Sequence, residues 1–250
     1  MRIVSLAPSN TEILYALDAQ DDVIGVTRFC DHPPAAKTKT IIGGWLDADL
    51  KKVVQLNPDL VLTSTFLQDK AAADLTAMGV MVVHVDPKTL GDVVESFITI
   101  GAAINRQDAA EELVARTKER LDDLRRRTSA LAKPRVYIEE WHKPSTVSGN
   151  WVPELLDIAG GRMDLIAAGE RSAEIDTEDV VRFDPEHIIA SWCGFGLSAD
   201  KDWITQRPGY AHITAVKNGN IHVMDDSLLN RPGPRIVDGA QLLARLIHSH

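Results

Sequence analysis

The sequence predicts an α/β protein of two similarly built lobes joined by one long helix. Three observations predict it. First, residues 108–131, DAAEELVARTKERLDDLRRRTSAL, contain neither Gly nor Pro. Within them Leu113, Val114, Thr117, Leu121 and Leu124 recur at three- and four-residue spacing, one apolar stripe on an otherwise charged helix. At 1.5 Å per residue such a helix runs roughly 35 Å, about the width of a small domain. Second, the chain echoes itself on either side of that helix. VVQLNPDLVLTS at 53–64 answers VVRFDPEHIIAS at 180–191, Glu12-Ile13-Leu14 answers Glu154-Leu155-Leu156, and Met78-Gly79-Val80 answers Asn218-Gly219-Asn220, in the same order. Third, short apolar strands alternate with helices, the pattern of a parallel sheet with helices on both faces. The lobes are residues 1–104 and 133–250, and the linking helix is 105–132.

In chain order, residues 2–6 read as a strand, and Pro8-Ser9-Asn10-Thr11 turns into a helix at 12–17 with Ser9 or Asn10 as its cap. Strands follow at 23–26, 60–62 and 81–85, with Ile41-Ile42 between the first two, and helices at 50–56, 71–78 and 90–104. The long helix has an acidic first turn and a basic last one, suiting its dipole, and Pro134 stops it. The second lobe repeats the logic, with strands at 135–138, 187–190 and 221–224 and helices at 153–158, 177–181 and 236–247. The strand 60–62 is expected to hold the place in its lobe that 188–190 holds in the other.

Composition narrows the function. A formal net charge of −9 and the lack of a basic run interleaved with aromatics argue against a nucleic-acid partner. The arginines 125–127 follow Asp122 and Asp123 and read as a solvated helix end. Two cysteines, Cys30 and Cys193, are too few for a disulfide framework, lie in different predicted lobes and are expected to stay unbonded. No stretch approaches the ~20 apolar residues of a membrane span, so no membrane insertion is expected. Met1-Arg2 leads straight into a strand with no signal peptide in view. The expected location is cytoplasmic if the chain is full length, and periplasmic or extracellular if a leader has been removed.

The aromatic residues point to the site. Trp45, Trp141, Trp151 and Trp192 fall in predicted loops near strand ends, as do Phe29, Phe66, Phe195 and Tyr210. Open α/β sheets bind ligands outside the carboxyl ends of their strands, where large aromatics give broad contact at low side-chain entropy. Trp192, flanked by Ser191 and Cys193-Gly194, is expected to leave its ring open to ligand, so that its removal costs affinity and little stability.

The opening RIVSLAPSNTEILYAL, the loop DHPP, the segment NPDLVL and the late stretch HVMDDSLLNRPGPRIVDGAQLL resemble the cobalamin- and iron-siderophore-binding proteins of ABC importers, the helical-backbone (class III) periplasmic binding proteins. The resemblance covers essentially the whole chain and is greatest to the cobalamin-binding branch. It implies two Rossmann-like three-layer α/β/α lobes on one rigid helix, with a ligand cleft between them. It also implies cobalamin or a related corrinoid as ligand, no required cofactor, no enzyme activity and an ABC-importer permease as partner. On that reading the ligand residues are Phe29, Trp45, Phe66, Trp141, Trp151, Trp192, Phe195, Tyr210, Leu229 and Arg231, with Asp69 and Asp202 as the acids docking the permease.

Other signals are weaker. Gly194-Phe195-Gly196-Leu197-Ser198-Ala199 matches G-x-G-x-x-A after a strand, without the helix start and ribose-binding acid a dinucleotide site needs. Cys30, His32, His142 and Cys193 lack metal-ligand spacing. Glu139 and Glu140, adjacent on a strand, point to opposite faces, so at most one reaches a ligand. The alternatives are a ferric siderophore or haem binder, whose anionic ligand would want Arg28, Arg207 and Arg231, or a cytoplasmic corrinoid-binding or metal-dependent enzyme built on Glu140, His142 and Cys193.

Overall fold

A computed structural model describes residues 1–248 of the chain. It divides into two units: Met1–Pro87 with Gly91–Thr117, and Lys88–Leu90 with Lys118 onward.

Unit one is built from β1 (Ile3–Ser5), α1 (Pro8–Ala16), β2 (Val23–Val26), β3 (Thr40–Ile41), α2 (Leu50–Gln55), β4 (Leu60–Ser64), α3 (Asp69–Ala77), β5 (Val82–Val85), α4 (Leu90–Ala103) and the start of α5 (Gln107–Thr128). Its sheet runs β3-β2-β1-β4-β5, and every pairing is parallel. The central strands β1 and β4 are buried along their whole length, as strands covered on both faces must be. On one side Val4, Leu6, Ile42, Val53, Val61 and Leu75 form a fully buried core. Asp49 caps α2 by accepting from the Lys52 amide at 3.0 Å. α1 starts earlier than predicted: Ala7 is its N-cap and Pro8 its first residue, while Asn10, one turn in, donates to the Thr63 carbonyl at 3.0 Å.

Unit two contains β6 (Val136–His142), β7 (Ser145–Val147), α6 (Val152–Ile158), β8 (Ala173–Glu174), α7 (Thr177–Phe183), β9 (His187–Ala190), α8 (Asp202–Thr205), α9 (Thr214–Lys217), β10 (Ile221–Val223) and α10 (Ile236–His248). The sheet order is β10-β9-β6-β7-β8. The expected repeat holds only for half of it. β6, β9 and β10 are parallel, but β7 runs against them and pairs antiparallel with both β6 and β8, because β6 turns straight back at Lys143-Pro144 instead of crossing through a helix. β6 consequently extends to His142, four residues beyond the predicted end, and carries Trp141 in a strand.

α5 is continuous. Leu113, Thr117, Leu121 and Leu124 of its predicted stripe are buried, with Val114 at the margin. Within unit one, Gly101 of α4 lets Ala110 approach so closely that a Cβ there would lie 2.4 Å from the Ala110 Cβ. Within unit two, Thr128 donates to the Ile158 carbonyl at 2.8 Å and Arg120 pairs with Asp238 of α10 at 2.7 Å.

The sequence echoes are conformational repeats. After α2, Asn57 takes a φ of 47°, and after α7, Asp184 takes 48°. The amides of Asp59 and Leu60 donate to the Arg2 carbonyl, and those of Glu186 and His187 to the Arg135 carbonyl. In return the Arg2 amide donates to Asp59 at 2.7 Å and the Arg135 amide to Glu186 at 2.9 Å. Gly79 and Gly219 end α3 and α9 with φ of 81° and 72°. The following amides reach back to Leu75 and Ala215, a Schellman-type close in both units.

Candidate functional site

In unit one the carboxyl ends of the strands are stitched together by one buried side chain. Gln68 accepts from the Ser64 amide at 2.8 Å and donates to the carbonyls of Leu6 at 2.8 Å and Trp45 at 2.7 Å. It thereby ties the segments following β1, β3 and β4. Beneath them Thr11 and Thr27 lie 3.1 and 3.2 Å from the Cys30 sulfur. Thr65, leaving β4, holds φ 63° and ψ 154°, a region a β-branched residue rarely adopts, and this turns Phe66 outward. Phe29 is 47% and Phe66 40% exposed, with Leu46 and Leu67 exposed beside them and Trp45 half-buried. The Arg28 guanidinium sits 5.6 Å from the Phe29 ring centre and is paired with the Asp47 carboxylate.

Unit two finishes its strands differently. Glu139, fully buried on β6, receives Tyr137 Oη at 2.8 Å, Trp192 Nε1 at 2.8 Å and both terminal nitrogens of Arg207, one of them at 2.8 Å. Burial works against charge on Arg207, but the Glu139 carboxylate outweighs it and holds the guanidinium protonated. Burial next to Glu139 pushes the Tyr137 hydroxyl well above its usual range.

This arrangement corrects the expectation for Trp192. Its ring is 0% exposed, packed 4.8 Å from His142 and 5.7 Å from Trp203, with Phe195 edge-on at 5.5 Å. Ser191 and Gly194 leave room around it, as the sequence implied, but His142 and Trp203 fill that room. Three further expected contacts are also internal. Trp151 is buried and donates to the Leu229 carbonyl at 2.8 Å, which places both in the interior, and Tyr210 is buried beneath Arg207. Trp141 and Trp203 remain exposed and Phe195 partly so, an aromatic surface laid over the buried one. Arg231 is half-buried.

Beside this stack, Glu140 points to the opposite face from Glu139. Ser172 Oγ donates to it at 2.5 Å, and Cys193 Sγ lies 3.9 Å away. Burial raises the Glu140 carboxyl above its ordinary value, although both of those hydrogen bonds oppose the shift. Loss of water around Cys193, together with the Glu140 charge, pushes its thiol up to about 12. Neither cysteine forms a disulfide; Cys30 is buried and Cys193 lies at the surface. The amides of Gly194 and Gly196 each donate to Asp226 at 3.0 Å, so the glycine-rich loop is closed on an internal carboxylate and not on a phosphate. No group of three or more His, Cys, Asp or Glu able to hold a metal occurs among the described residues. A groove of about 820 Å³ beside β8, lined by Asp164, Glu170, Glu174, Asp176, Asp179 and Phe183 among others, contains none of the expected ligand residues. Asp69 opens α3, exposed, with its carboxylate 3.2 Å from His84, and Asp202 opens α8 at the surface.

Sequence reasoning missed Gln68, Trp203 and the Glu139–Arg207 pair. Nothing local links Glu139 to Arg207, which are 68 residues apart. Trp203 had a usable signal, a fifth tryptophan in a polar stretch.

A model of the periplasmic binding protein family matches residues 3–228. An uncharacterised ABC transporter substrate-binding lipoprotein of Bacillus subtilis is 30% identical over 99% of this chain and 80% of its own length. The vitamin B12-binding protein of Vibrio cholerae is 25% identical over 96% of this chain and 86% of its own. The crystal structure of a possible iron-binding (periplasmic solute-binding) protein from Staphylococcus epidermidis is 28% identical, with a TM-score of 0.84 over 99% of this chain and 98% of that one. With a family match spanning nearly its whole length, the chain belongs to the periplasmic binding protein family, as an ABC-type substrate-binding protein.

Proposed function

We propose that the chain binds cobalamin or a related corrinoid with the loops at the carboxyl ends of its two sheets. The observation that carries this reading is exposed aromatic surface combined with neutralised cations. Phe29 and Phe66 of unit one and Trp141 and Trp203 of unit two are exposed. Of the three arginines an anionic ligand would use, Arg28 is already paired with Asp47, Arg207 is held by Glu139, and half-buried Arg231 is engaged within the protein. An anionic ferric siderophore or a haem carboxylate needs a free cation, whereas a flat macrocycle rimmed by amides needs apolar faces and neutral hydrogen-bonding groups. The vitamin B12-binding relative supports the same choice. Of the residues expected from sequence, Phe29, Trp45, Phe66, Trp141 and Phe195 are proposed as ligand contacts, with Trp203 added.

Delivery to an ABC-importer permease through Asp69 and Asp202, outside the cytoplasmic membrane, completes the proposal. The substrate-binding lipoprotein relative supports it.

The test is titration with cyanocobalamin, haemin and a ferric siderophore, followed by tryptophan fluorescence and calorimetry. Cyanocobalamin should bind tightest, and Phe66→Ala should weaken it about tenfold or more, the effect of removing one largely covered aromatic ring. Tighter binding of haemin or the siderophore would replace this reading by the iron-complex one, which the 28%-identical structure favours.

A further inference from the structure

We propose that Glu140, Asn230 and Ser191, grouped around Cys193 in unit two, form a subsite for primary amides on the rim of the ligand and select amide-bearing macrocycles over carboxylate-bearing ones. The proposal rests on the corrinoid reading and names the side chains that would give it specificity.

The group is assembled from one strand and two loops. Glu140 lies near the end of β6, Ser191 and Cys193 follow β9, and Asn230 follows β10. Asn230 Nδ2 donates to the Ser191 carbonyl at 2.8 Å and to Cys193 Sγ at 3.2 Å, which fixes which end of the amide is which. Its Oδ1 is left without a protein partner, as is the hydroxyl of fully buried Ser191. Buried polar atoms are rarely left so, and these two, on residues joined by the Asn230–Ser191 hydrogen bond, carry hydrogen-bonding capacity that the protein itself does not fill. Cys193, at the surface, is the side from which the group is reached.

The chemistry of what is missing is specific. Asn230 Oδ1 and the Glu140 carboxyl accept, and the Ser191 hydroxyl can donate, so the complement carries N–H donors and a carbonyl together. A primary amide has both. A carboxylate has no donor and would bring its charge beside Glu140, whose carboxyl lies 3.9 Å from Cys193 Sγ, and near Asp226, which holds the amides of Gly194 and Gly196. Corrinoids are rimmed with primary amides where haem carries carboxylates, so this subsite would discriminate between the two ligand classes the family resemblance leaves open.

The experiment is calorimetric titration of the full chain at pH 7.5 with cyanocobalamin, with monocarboxylic acids made from it by hydrolysing one rim propionamide, and with haemin. Wild type should bind the amide form about tenfold tighter than at least one of the monoacids, the effect of one hydrogen bond replaced by a charge clash. Glu140→Gln should bring that ratio to within about threefold, and Asn230→Ala should weaken the amide form about tenfold. Melting curves report folding, and if Asn230→Ala fails to fold, Glu140→Gln decides alone. A wild type that does not distinguish amide from acid, or a ratio unchanged in Glu140→Gln, overturns the subsite while leaving corrinoid binding in place. Failure of wild type to bind cyanocobalamin while binding haemin overturns the corrinoid reading itself.

Discussion

The two units share a strand order and differ in how they finish it. Read from the edge, unit one runs β3-β2-β1-β4-β5 and unit two β8-β7-β6-β9-β10, so each central strand has equivalent neighbours. In unit one a helix separates the first two strands and the sheet stays parallel. In unit two a hairpin replaces that crossover and reverses β7, so that its pairings with β6 and β8 are both antiparallel. The carboxyl ends diverge accordingly. Unit one joins its loops through neutral hydrogen bonds from Gln68 and leaves Phe29 and Phe66 outside. Unit two uses a buried ion pair, Glu139 with Arg207, as the floor for a tryptophan stack. An aromatic residue near a strand end is therefore a ligand surface in one unit and a structural member in the other, and what lies under it decides which.

The sharpest way to break this comparison is to remove the floor of unit two. Arg207→Met should destabilise by about 3–5 kcal/mol, because it strands the Glu139 charge in the interior. Trp192→Ala should cost about 3–5 kcal/mol through the cavity it leaves and the lost hydrogen bond to Glu139. Thermal melting checks both, and a Trp192→Ala protein of wild-type stability would restore the original expectation of an open ring. In unit one, Gln68→Leu should cost about 1–3 kcal/mol, since it leaves two loop carbonyls and an amide without partners but no charge. Phe66→Ala, by contrast, should change stability by no more than about 0.5 kcal/mol, because its ring covers little.

The smallest effect concerns Glu140. Its carboxyl titrates higher in the folded chain than its ordinary value of 4.5, so over that window the native state binds more protons than the unfolded one. Stability contributed by this group is therefore present at low pH and lost as pH rises through the folded value. Glu140→Gln should relieve that loss, raising stability slightly at pH 7 and not at pH 4, as denaturant titrations at the two pH values would show. The same replacement should speed alkylation of Cys193. A thiol pushed up to about 12 should react with iodoacetamide at pH 8 at least about a hundredfold more slowly than an ordinary one despite its surface position, as mass spectrometry over time would show.

How much of this was legible in the sequence follows the range of the forces involved. The repeats at 53–64 and 180–191 were readable because their cause is local: a polar residue in the left-handed region, a proline and a strand, closed by amides onto Arg2 and Arg135. The long helix was readable because an apolar stripe without Gly or Pro permits little else. The hairpin at Lys143-Pro144 was not, because the short apolar run 135–138 and the pair Thr146-Val147 carry no direction of pairing. Its last residues, Glu-Trp-His, look like a loop until a neighbouring strand holds them.

The sequence by itself determined the two-unit α/β plan, the continuous helix and the family, since periodicity, turn residues and motif are properties of neighbouring positions. Only the tertiary structure decided which aromatics face outward. Trp192 and Phe66 follow similar strands, but Trp192 meets Glu139 and His142 from β6 and Trp203 from α8, whereas Phe66 is turned outward at Thr65. Burial is settled by residues brought together from distant parts of the chain, and no spacing along it records that meeting.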